Sequence, residues 1–320
     1  MSQSLILGTR GSKLALAQSH WVAEALRVAH PALNIEIKII QTRGDATQAA
    51  NVPLASFGEK GIFAKELEAA LLAGEIDLAV HSMKDLEHTL PAGLVIAAVP
   101  KREDPRDALI GSTLDALPQG ARVGTGSVRR RALLFSRRPD LQMLEIRGNI
   151  DTRLRKWREG QYDAICLAVA GLNRLGLQEN IAEILDPEWF TPDPGQGALA
   201  IETRKDDTFT QETVAVTGHR ASWRESMIER AFLRAMGGGC KTPLGALAVV
   251  GGHDGYLSGM VASPDGTTIL RDRTNGLIQS RMEQYEQLGR RLADLLQAQG
   301  ADRLLEPTPS LRADPPETGR

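Results

Sequence analysis

The hydrophobic positions in the first third of the chain alternate between the period of a strand and that of a helix. Compact or alternating apolar runs predict strands at residues 5–9, 34–42, 76–80 and 94–99. Apolar residues three and four apart predict two helices, one over 63–73 and an earlier one whose inner face carries Leu14, Ala17, Trp21, Ala25 and Leu26. Gly74 marks the end of the helix over 63–73.

The same alternation begins again after the charged turn from Lys101 to Pro105. It predicts strands at 122–125, 143–146 and 164–169 and helices at 127–137 and 150–158. Strands that alternate with helices imply parallel sheets with right-handed crossovers. The sequence therefore predicts an α/β fold of two lobes that face each other across a cleft. The turn from Pro192 to Gly195 indicates that the chain then returns to the first lobe.

The alternation of single strands and helices ends near Gly218. The pattern there predicts a helix over 221–236, strands over 247–250 and 257–261, and a last helix with Met282, Tyr285, Leu288, Leu292 and Leu296 facing inward. We expect three domains, formed by 1–101 with 196–217, by 102–195, and by a small α+β unit over 218–305. The proline-containing end, 306–320, is expected to be disordered.

Composition narrows the class of protein. The 320 residues are 42% hydrophobic and 24% charged with a net charge of −2, which is typical of a globular protein and disfavours a dedicated nucleic-acid binder. The first residues lack the apolar core of a signal peptide, and no run approaches the length of a membrane span. Two cysteines provide neither a disulfide framework nor a four-ligand metal site. We expect a cytoplasmic protein with reduced cysteines and no bound metal.

Positive charge is concentrated in residues 121–160, which contain eleven Lys or Arg against four Asp or Glu. A solvated helix face explains about half of these residues, with Arg155, Lys156 and Arg158 as the best examples. Arg129 and Arg130, however, open a helix directly after a strand, where parallel α/β sheets bind anions. Gly124 to Ser127 adds hydroxyls and flexible backbone of the kind that form an anion nest. Together these features favour a small polycarboxylate as the ligand.

Two side chains, Cys240 and Asp85, have two interpretations each when read from the residues alone. Cys166 lies in an apolar strand and is expected to be a core residue, whereas Cys240, after three glycines, is either a reactive thiol or a buried loop cysteine. Lys241 would favour its thiolate. Asp85 follows a predicted strand and is either a helix N-cap or a functional carboxylate. His81 is expected to be a hydrogen-bonded structural residue.

Eleven segments, taken together and in order, resemble the hydroxymethylbilane synthase family, also called porphobilinogen deaminase. They are GTRGSKLALAQ, TRGD, FGEKGIFAKELE, HSMKD, REDPRDA, VGTGSVRRR, RRPDL, RGNIDTRL, LAVAGLNRLGL, PGQGALAIE and GGGCKTPLGA. The resemblance runs from Leu5 to about Leu305. It implies three domains, of which two are like those of periplasmic solute-binding proteins and the third carries the cysteine.

The resemblance implies that the enzyme joins four porphobilinogen units head to tail, with loss of ammonia, on a dipyrromethane primer bound to Cys240 through a thioether. Asp85 matches the family aspartate that stabilises the cationic pyrrole. Residues that resemble those holding the carboxylates are Arg10, Ser12, Gln18, Ser82, Lys84, Thr125, Ser127, Arg129, Arg130, Arg147, Arg153, Arg174 and Gln196. Of these, Arg10 and Arg147 are the strongest candidates. Lys60 lies in a segment, 43–61, that resembles the family's mobile lid. The resemblance implies a monomer with no metal and no soluble coenzyme.

Some positions depart from the family pattern. Ser56 stands where some members have a lysine, Gly126 replaces a common serine, and Glu87-His88 replaces the usual Pro-Thr after HSMKD. Two other functions compete with the enzyme. A non-catalytic carboxylate-binding module could use the same two lobes but leaves Cys240 unexplained, and a nucleic-acid binder would show steeply salt-dependent affinity.

Overall fold

The computed structural model describes residues 4–42, 64–237, 243–277 and 281–305 and arranges them in three sheets with flanking helices. The strands are β1 (Ser4–Thr9), β2 (Asn34–Ile39), β3 (Leu78–Ser82), β4 (Leu94–Ala98), β5 (Asp107–Ile110), β6 (Arg122–Gly124), β7 (Gln142–Leu144), β8 (Ala164–Ala168), β9 (Ile181–Ile184), β10 (Leu199–Arg204), β11 (Leu244–Gly251), β12 (Asp254–Ala262) and β13 (Ile269–Leu277). The α-helices are α1 (Lys13–Ala29), α2 (Lys65–Leu72), α3 (Val128–Arg137), α4 (Ile150–Arg158), α5 (Val169–Arg174), α6 (Thr208–Ala215), α7 (Arg220–Ala235), α8 (Met282–Ala298) and α9 (Ala301–Leu305). Short 3₁₀ helices lie at Met83–Asp85 and Gln178–Asn180.

The first lobe is built on a five-stranded sheet in the order β2-β1-β3-β10-β4. β1 is parallel to both β2 and β3, as the alternating pattern predicts. β10 enters between β3 and β4 and is antiparallel to both. Since β10 follows the second lobe in the chain, the predicted return to the first lobe is confirmed.

The second lobe repeats this plan in the order β7-β6-β8-β5-β9. β6 is parallel to β7 and β8, whereas β5 is antiparallel to β8 and β9. The expectation of purely parallel sheets is therefore wrong for both lobes. The crossover rule applies to successive parallel strands of one sheet. β5 and β10 each arrive from the other lobe, so no crossover helix fixes their direction.

The third domain is a three-stranded antiparallel sheet, β11-β12-β13, covered by α7 and α8. Tyr285, Leu288, Leu292 and Leu296 of α8 are buried as predicted. Met282 is 48% exposed, against expectation, because it is the first residue of the helix.

Two predicted elements are displaced in the first lobe. The strand expected at 76–80 occupies Leu78–Ser82, so it reaches the polar segment that follows. The buried face of α1 is formed by Ala15, Gln18, Ser19, Val22, Ala23 and Leu26. Trp21 is 52% exposed, so the predicted inner face was wrong by about one position. The buried face of α1 is thus rotated relative to the predicted one, and the polar side chain of Gln18 faces the interior. None of the helices in the described ranges is both long and apolar enough to cross a bilayer.

Candidate active site between the two lobes

The segment after β3 carries Ser82, Lys84 and Asp85 at the edge of the first lobe. Ser82 ends the strand and occupies the N-cap position of the 3₁₀ helix Met83–Asp85. Met83 is buried and anchors this turn, whereas Lys84 and Asp85 keep partial exposure. Asp85 is the last residue of the helix, so the N-cap interpretation of this carboxylate is wrong. Gln18 Nε2 donates to Ser82 Oγ at 3.0 Å, which joins α1 to the segment.

A glycine of the returning chain fixes this turn from the other side. Met83 N donates to the carbonyl of Ala198 at 3.0 Å. Gly195 has φ +77°, and a Cβ there would lie 2.7 Å from the Met83 side chain and 3.3 Å from the Lys84 nitrogen. Only glycine combines this backbone conformation with so close an approach. The segment 193–196 therefore packs directly on Met83 and Lys84.

Two arginines of the second lobe meet a carboxylate that the sequence did not single out. Arg129 Nη2 lies 2.7 Å from Asp107 Oδ2, and Arg130 Nε donates to Asp107 Oδ1 at 3.0 Å. All three side chains are buried. Burial alone would raise the pKa of Asp107, but the two guanidinium groups lower it to about 2. Asp107 therefore holds both arginines in place as a permanent anion.

Gln196 links the lobes through its side-chain amide. Its Nε2 donates to the carbonyl of Pro105 at 2.8 Å and to Asp107 Oδ1 at 2.9 Å. Its Oε1 accepts from Lys84 Nζ at 3.0 Å and from Arg130 Nη2 at 3.4 Å. Burial, and then the neighbouring Arg130, lower the pKa of Lys84. Lys84 is thus a cation of the first lobe whose hydrogen-bond partner is a neutral amide.

The predicted hydroxyl groups lie at two helix starts. Ser12 Oγ accepts from Ala15 N at 3.3 Å at the start of α1, and Ser127 Oγ accepts from Arg130 N at 3.4 Å at the start of α3. Thr125 Oγ1 accepts from Ser127 N at 3.2 Å. Each hydroxyl is therefore an acceptor within its own turn and can still donate its hydrogen to an anion. At Gly126 a Cβ would lie 3.2 Å from the carbonyl of Ile146, so a serine here would need that carbonyl to move slightly.

Two further arginines lose hydration at the lobe junction. Arg153 Nε donates to the carbonyl of Gly148 at 2.7 Å, and Arg174 Nη2 donates to the carbonyl of Gly197 at 2.6 Å. Burial lowers the pKa of each to about 10, and the cations Arg130 and Arg147 add to this effect at Arg153. Both side chains are half-buried, and partly desolvated guanidinium groups favour the binding of an anion.

Arg10 and Arg147, the two strongest candidates from the sequence, are less buried than Arg129 and Arg130. Arg147 is half-buried and forms an ion pair with Glu145. Arg10 is also half-buried, directly after β1. The predicted solvated face is confirmed for Arg155 and Arg158, which are exposed. Lys156 is half-buried and donates to the carbonyl of Arg147 at 3.3 Å.

Cys240 and Lys60 lie outside the described residues, as does Ser56. Two buried residues flank the segment that contains Cys240. Met236, after α7, and Leu244, in β11, belong to the same hydrophobic cluster as Met83 and Leu86. The described residues on either side of that segment therefore pack in a core shared with the Asp85 turn. Cys166 is a core residue, as predicted, and burial raises its pKa to about 12.

The other predictions for this region concern His81 and the residues after HSMKD. His81 is buried with Nε2 3.0 Å from Glu202 Oε2, but neither atom makes a hydrogen bond within the described structure, so its role as a hydrogen-bonded structural residue stays a prediction. The carbonyls of Glu87 and His88 accept from Arg230 at 2.6 Å and Arg234 at 3.0 Å, both on α7. The turn after Asp85 is thus held by the third domain.

Sequence reasoning missed the residues that hold the cations and the lobes together. Besides Asp107, these include Glu229 of α7, whose carboxylate binds Arg102 at 2.7 Å and 3.0 Å and accepts from Gly195 N at 2.6 Å. A signal existed for Asp107, since a charged residue opens the otherwise apolar segment 107–110. Glu229 lies within an amphipathic helix, where its sequence context resembles that of solvent-exposed glutamates.

Comparisons with known proteins agree with the motifs. Residues 5–212 match the family described as "Porphobilinogen deaminase, dipyromethane cofactor binding domain", and residues 223–298 match "Porphobilinogen deaminase, C-terminal domain". The chain is 48% identical to the porphobilinogen deaminase of Roseiflexus sp. (strain RS-1), over 95% of this chain and 99% of that protein. It is 47% identical to the porphobilinogen deaminase of Shouchella clausii (strain KSM-K16), over 95% and 97%. Among solved structures, the methionine-binding protein MetQ aligns at a TM-score of 0.42 and 12% identity, covering 71% of this chain and 91% of that one.

Proposed function

Because the chain belongs to the porphobilinogen deaminase family, we propose that the lobe junction is where it condenses porphobilinogen on a primer carried by Cys240. The activity is that of a hydroxymethylbilane synthase, a transferase of tetrapyrrole biosynthesis that joins four porphobilinogen molecules and releases ammonia. The observation that carries this conclusion is the match of both family domains to nearly the whole described chain. A non-catalytic carboxylate-binding module is not favoured.

The residues at the junction fit the dipyrromethane cofactor of the family. A dipyrromethane of this kind carries several carboxylates, and cationic side chains of both lobes can hold them. Arg129 Nε is buried and has no hydrogen-bond partner within the described structure, and Arg153 is half-buried close to the cations Arg130 and Arg147. When bound, the cofactor supplies an electron-rich pyrrole carbon as the nucleophile.

Cys240 is proposed as the attachment point, through a thioether. Met236 and Leu244, which flank its segment, belong to the core that also contains Met83. Cys166 is a poor alternative because its thiol is fully buried in β8 with a pKa raised to about 12. The Cys240 segment can therefore bring a thioether close to Asp85, whereas β8 offers the cofactor no access.

Asp85 is proposed to stabilise the positive charge that develops on the porphobilinogen pyrrole as its amine departs as ammonia. Its carboxylate is at the end of a turn that Met83, Gly195 and Ala198 hold rigidly. A fixed anion at the point where positive charge develops lowers the barrier without reorganisation. The adjacent Lys84 is then suited to a substrate carboxylate and not to the cationic ring.

We propose that the remaining residues hold carboxylates of the cofactor and of the growing chain. They are Arg10, Ser12, Gln18, Lys60, Ser82, Lys84, Thr125, Ser127, Arg129, Arg130, Arg147, Arg153, Arg174 and Gln196. Asp107 fixes Arg129 and Arg130 from behind, so their positions do not depend on the ligand. Such preorganisation reduces the entropy lost on binding.

The domain division is proposed as 1–101 with 196–217, then 102–195, then 218–305. We also propose that the protein is a cytoplasmic monomer that binds no nucleic acid. Part of the charge in the basic stretch is already paired, with Arg122 on Asp163 at 2.8 Å and Arg138 on Asp140 at 2.7 Å. These two arginines are poorly available to a phosphate backbone.

Turnover of porphobilinogen by the purified chain tests the proposed function. Ammonia should be released as porphobilinogen disappears, and a linear tetrapyrrole should accumulate. Saturable binding of porphobilinogen without ammonia release would instead support the carboxylate-binding module. Loss of both binding and turnover in a folded, cofactor-bearing preparation would contradict the assignment.

A further inference from the structure

Gly245 of the third domain lies against the backbone of the second lobe that contacts Arg129. It is the second residue of β11, and the carbonyl groups of Thr191 and Pro192 lie beside it. Gly245, Thr191 and Pro192 are all buried. The proposed reaction assigns no role to Gly245, although β11 begins only four residues after Cys240.

The backbone beside Gly245 holds the guanidinium group of Arg129. Arg129 Nη1 donates to the carbonyl of Thr191 at 2.8 Å. Arg129 Cζ lies 5.6 Å from the centre of the Phe190 ring, within the range of a cation–π contact. The ion pair from Arg129 Nη2 to Asp107 Oδ2, at 2.7 Å, comes from β5. Two neighbouring residues, Phe190 and Thr191, therefore orient this guanidinium together with Asp107.

The carbonyl oxygen that accepts from Arg129 is also the atom closest to the vacant side of Gly245. A Cβ on Gly245 would lie 2.7 Å from the carbonyl oxygen of Thr191 and 3.0 Å from that of Pro192. Side chains do not approach backbone oxygens so closely, so the carbonyl groups or the strand would have to move. Gly245 does not have a positive φ. Glycine is therefore required here for space and not for backbone conformation.

The contact is difficult to open because the junction around it is hydrogen-bonded and packed. Ala246 N, the next residue in β11, donates to the carbonyl of Pro192 at 2.9 Å. Met260, which is paired with Gly245 across the sheet, belongs to the same hydrophobic cluster as Phe190. A close-packed interior transmits a displacement to its neighbours. A shift of β11 would therefore move the lobe backbone beside it.

We infer that Gly245 is a positioning residue, whose missing side chain lets β11 pack on the Thr191 carbonyl and so holds Arg129 in the orientation that binds a ligand carboxylate. This inference rests on the proposed function, in which Arg129 holds carboxylates of the cofactor or of the growing chain. The strand that follows the proposed attachment point, Cys240, then also sets the orientation of a cation proposed to hold the attached chain.

Gly245→Ala adds one methyl group and tests the inference in the cofactor-bearing enzyme. The displaced carbonyl should weaken the hydrogen bond to Arg129 and lower kcat/KM for porphobilinogen about tenfold. Gly251→Ala is the matched control, because Gly251 lies in the same strand and a Cβ there meets nothing within 4 Å. This control should keep the wild-type kcat/KM. Wild-type turnover by Gly245→Ala would overturn the inference and leave the proposed function intact.

A double-mutant cycle separates positioning of Arg129 from a general loss of structure. Arg129→Lys keeps a charge beside Asp107 but lacks the planar fork that also reaches Thr191. If Gly245 acts through Arg129, addition of Gly245→Ala to Arg129→Lys should lower kcat/KM by less than about twofold further. The full tenfold loss in this background would show that the methyl group acts elsewhere, and the inference would be wrong.

Amide hydrogen exchange decides the question if Gly245→Ala does not fold. Arg129→Lys should loosen the backbone at 191–192, so the amide of Ala246, which donates to this backbone, should exchange about tenfold faster than in the wild type. The amide of Ala248 is the internal control, since its hydrogen bond stays within the third domain, and it should keep its rate. An unchanged exchange rate at Ala246 in Arg129→Lys would overturn the inference.

Discussion

The two lobes share a sheet plan, but the pKa of a buried carboxylate is lowered in one lobe and raised in the other. In the second lobe, Asp107 is surrounded by Arg129 and Arg130, and its pKa falls to about 2. In the first lobe, burial and the neighbouring carboxylates Glu202 and Glu87 raise the pKa of Glu68 to about 7, against the opposing effect of His81. The second lobe therefore contains cations held by a fixed anion, whereas the first lobe contains a carboxylate whose charge changes near neutral pH. Cations held in this way suit the binding of a ligand's carboxylates.

The largest effect should come from Asp107→Asn, which leaves two buried arginines without their anion. Removal of one partner from a buried ion pair costs about 3–5 kcal/mol. We expect a large drop in the urea midpoint, or loss of folded protein. Asp163→Asn provides the control because Asp163 pairs with Arg122 at the surface. Equal stability losses in the two variants would show that the buried Asp107 pair stabilises the second lobe no more than a surface ion pair does.

At Asp85, Asn replacement should leave folding and cofactor content unchanged but slow turnover by roughly a hundredfold or more. The amide keeps a hydrogen-bonding oxygen but has no negative charge for the cationic pyrrole. Asp85→Glu should retain part of the activity because the charge survives at a slightly different distance. Thermal melting, intact mass and turnover on one preparation distinguish the outcomes. Near-normal turnover of Asp85→Asn would reject the electrostatic role.

Among the proposed carboxylate ligands, Arg10→Leu and Arg147→Leu should each lower turnover about tenfold or more, since a hydrogen bond to a charged group contributes roughly 1.5–3 kcal/mol. Arg158→Leu is the matched control, because Arg158 is exposed and donates only to Asn180 among the described residues. If all three substitutions reduced kcat/KM equally, net charge and not placement would explain the effect.

The first-lobe carboxylate should produce a smaller, pH-dependent effect. The pKa of Glu68 is raised in the folded state from 4.5 to about 7, so its stabilising contribution is complete below pH 4.5 and is lost as the pH rises through about 7. Glu68→Gln should remove this dependence, and the difference in Tm between variant and wild type should change by about 2–4 °C between about pH 5 and about pH 8. Glu75→Gln, at an exposed ion pair with Lys38, should show no such trend.

Local features of the sequence predicted much of this arrangement. The helix over 127–137 and the strand before it follow from the apolar spacing, and the structure has α3 starting at Val128, directly after its N-cap Ser127. The direction of β5 and β10 was not predictable from periodicity, because a run such as 107–110 or 199–204 has the same pattern whichever way it enters a sheet.

Pairings between distant residues were equally inaccessible from the sequence. Asp107 and Arg130 are 23 positions apart, and Arg102 and Glu229 are 127 apart. Asp107 and Arg130 meet because β5 and α3 pack in the same lobe, and Arg102 meets Glu229 because α7 of the third domain packs near the point where the chain leaves the first lobe. Local sequence can therefore suggest that Arg129 and Arg130 bind an anion, but not that a protein carboxylate already occupies one side of them.

The central claim is that Cys240 carries a dipyrromethane beside Asp85, and the intact mass of freshly purified protein tests it most directly. The account predicts one dipyrromethane above the 34.7 kDa of the chain, located at Cys240 by peptide mapping. Cys240→Ser should lose both the added mass and the turnover of porphobilinogen, and Cys166→Ala should keep both. An active chain with no added mass, or with the adduct on Cys166, would contradict the account.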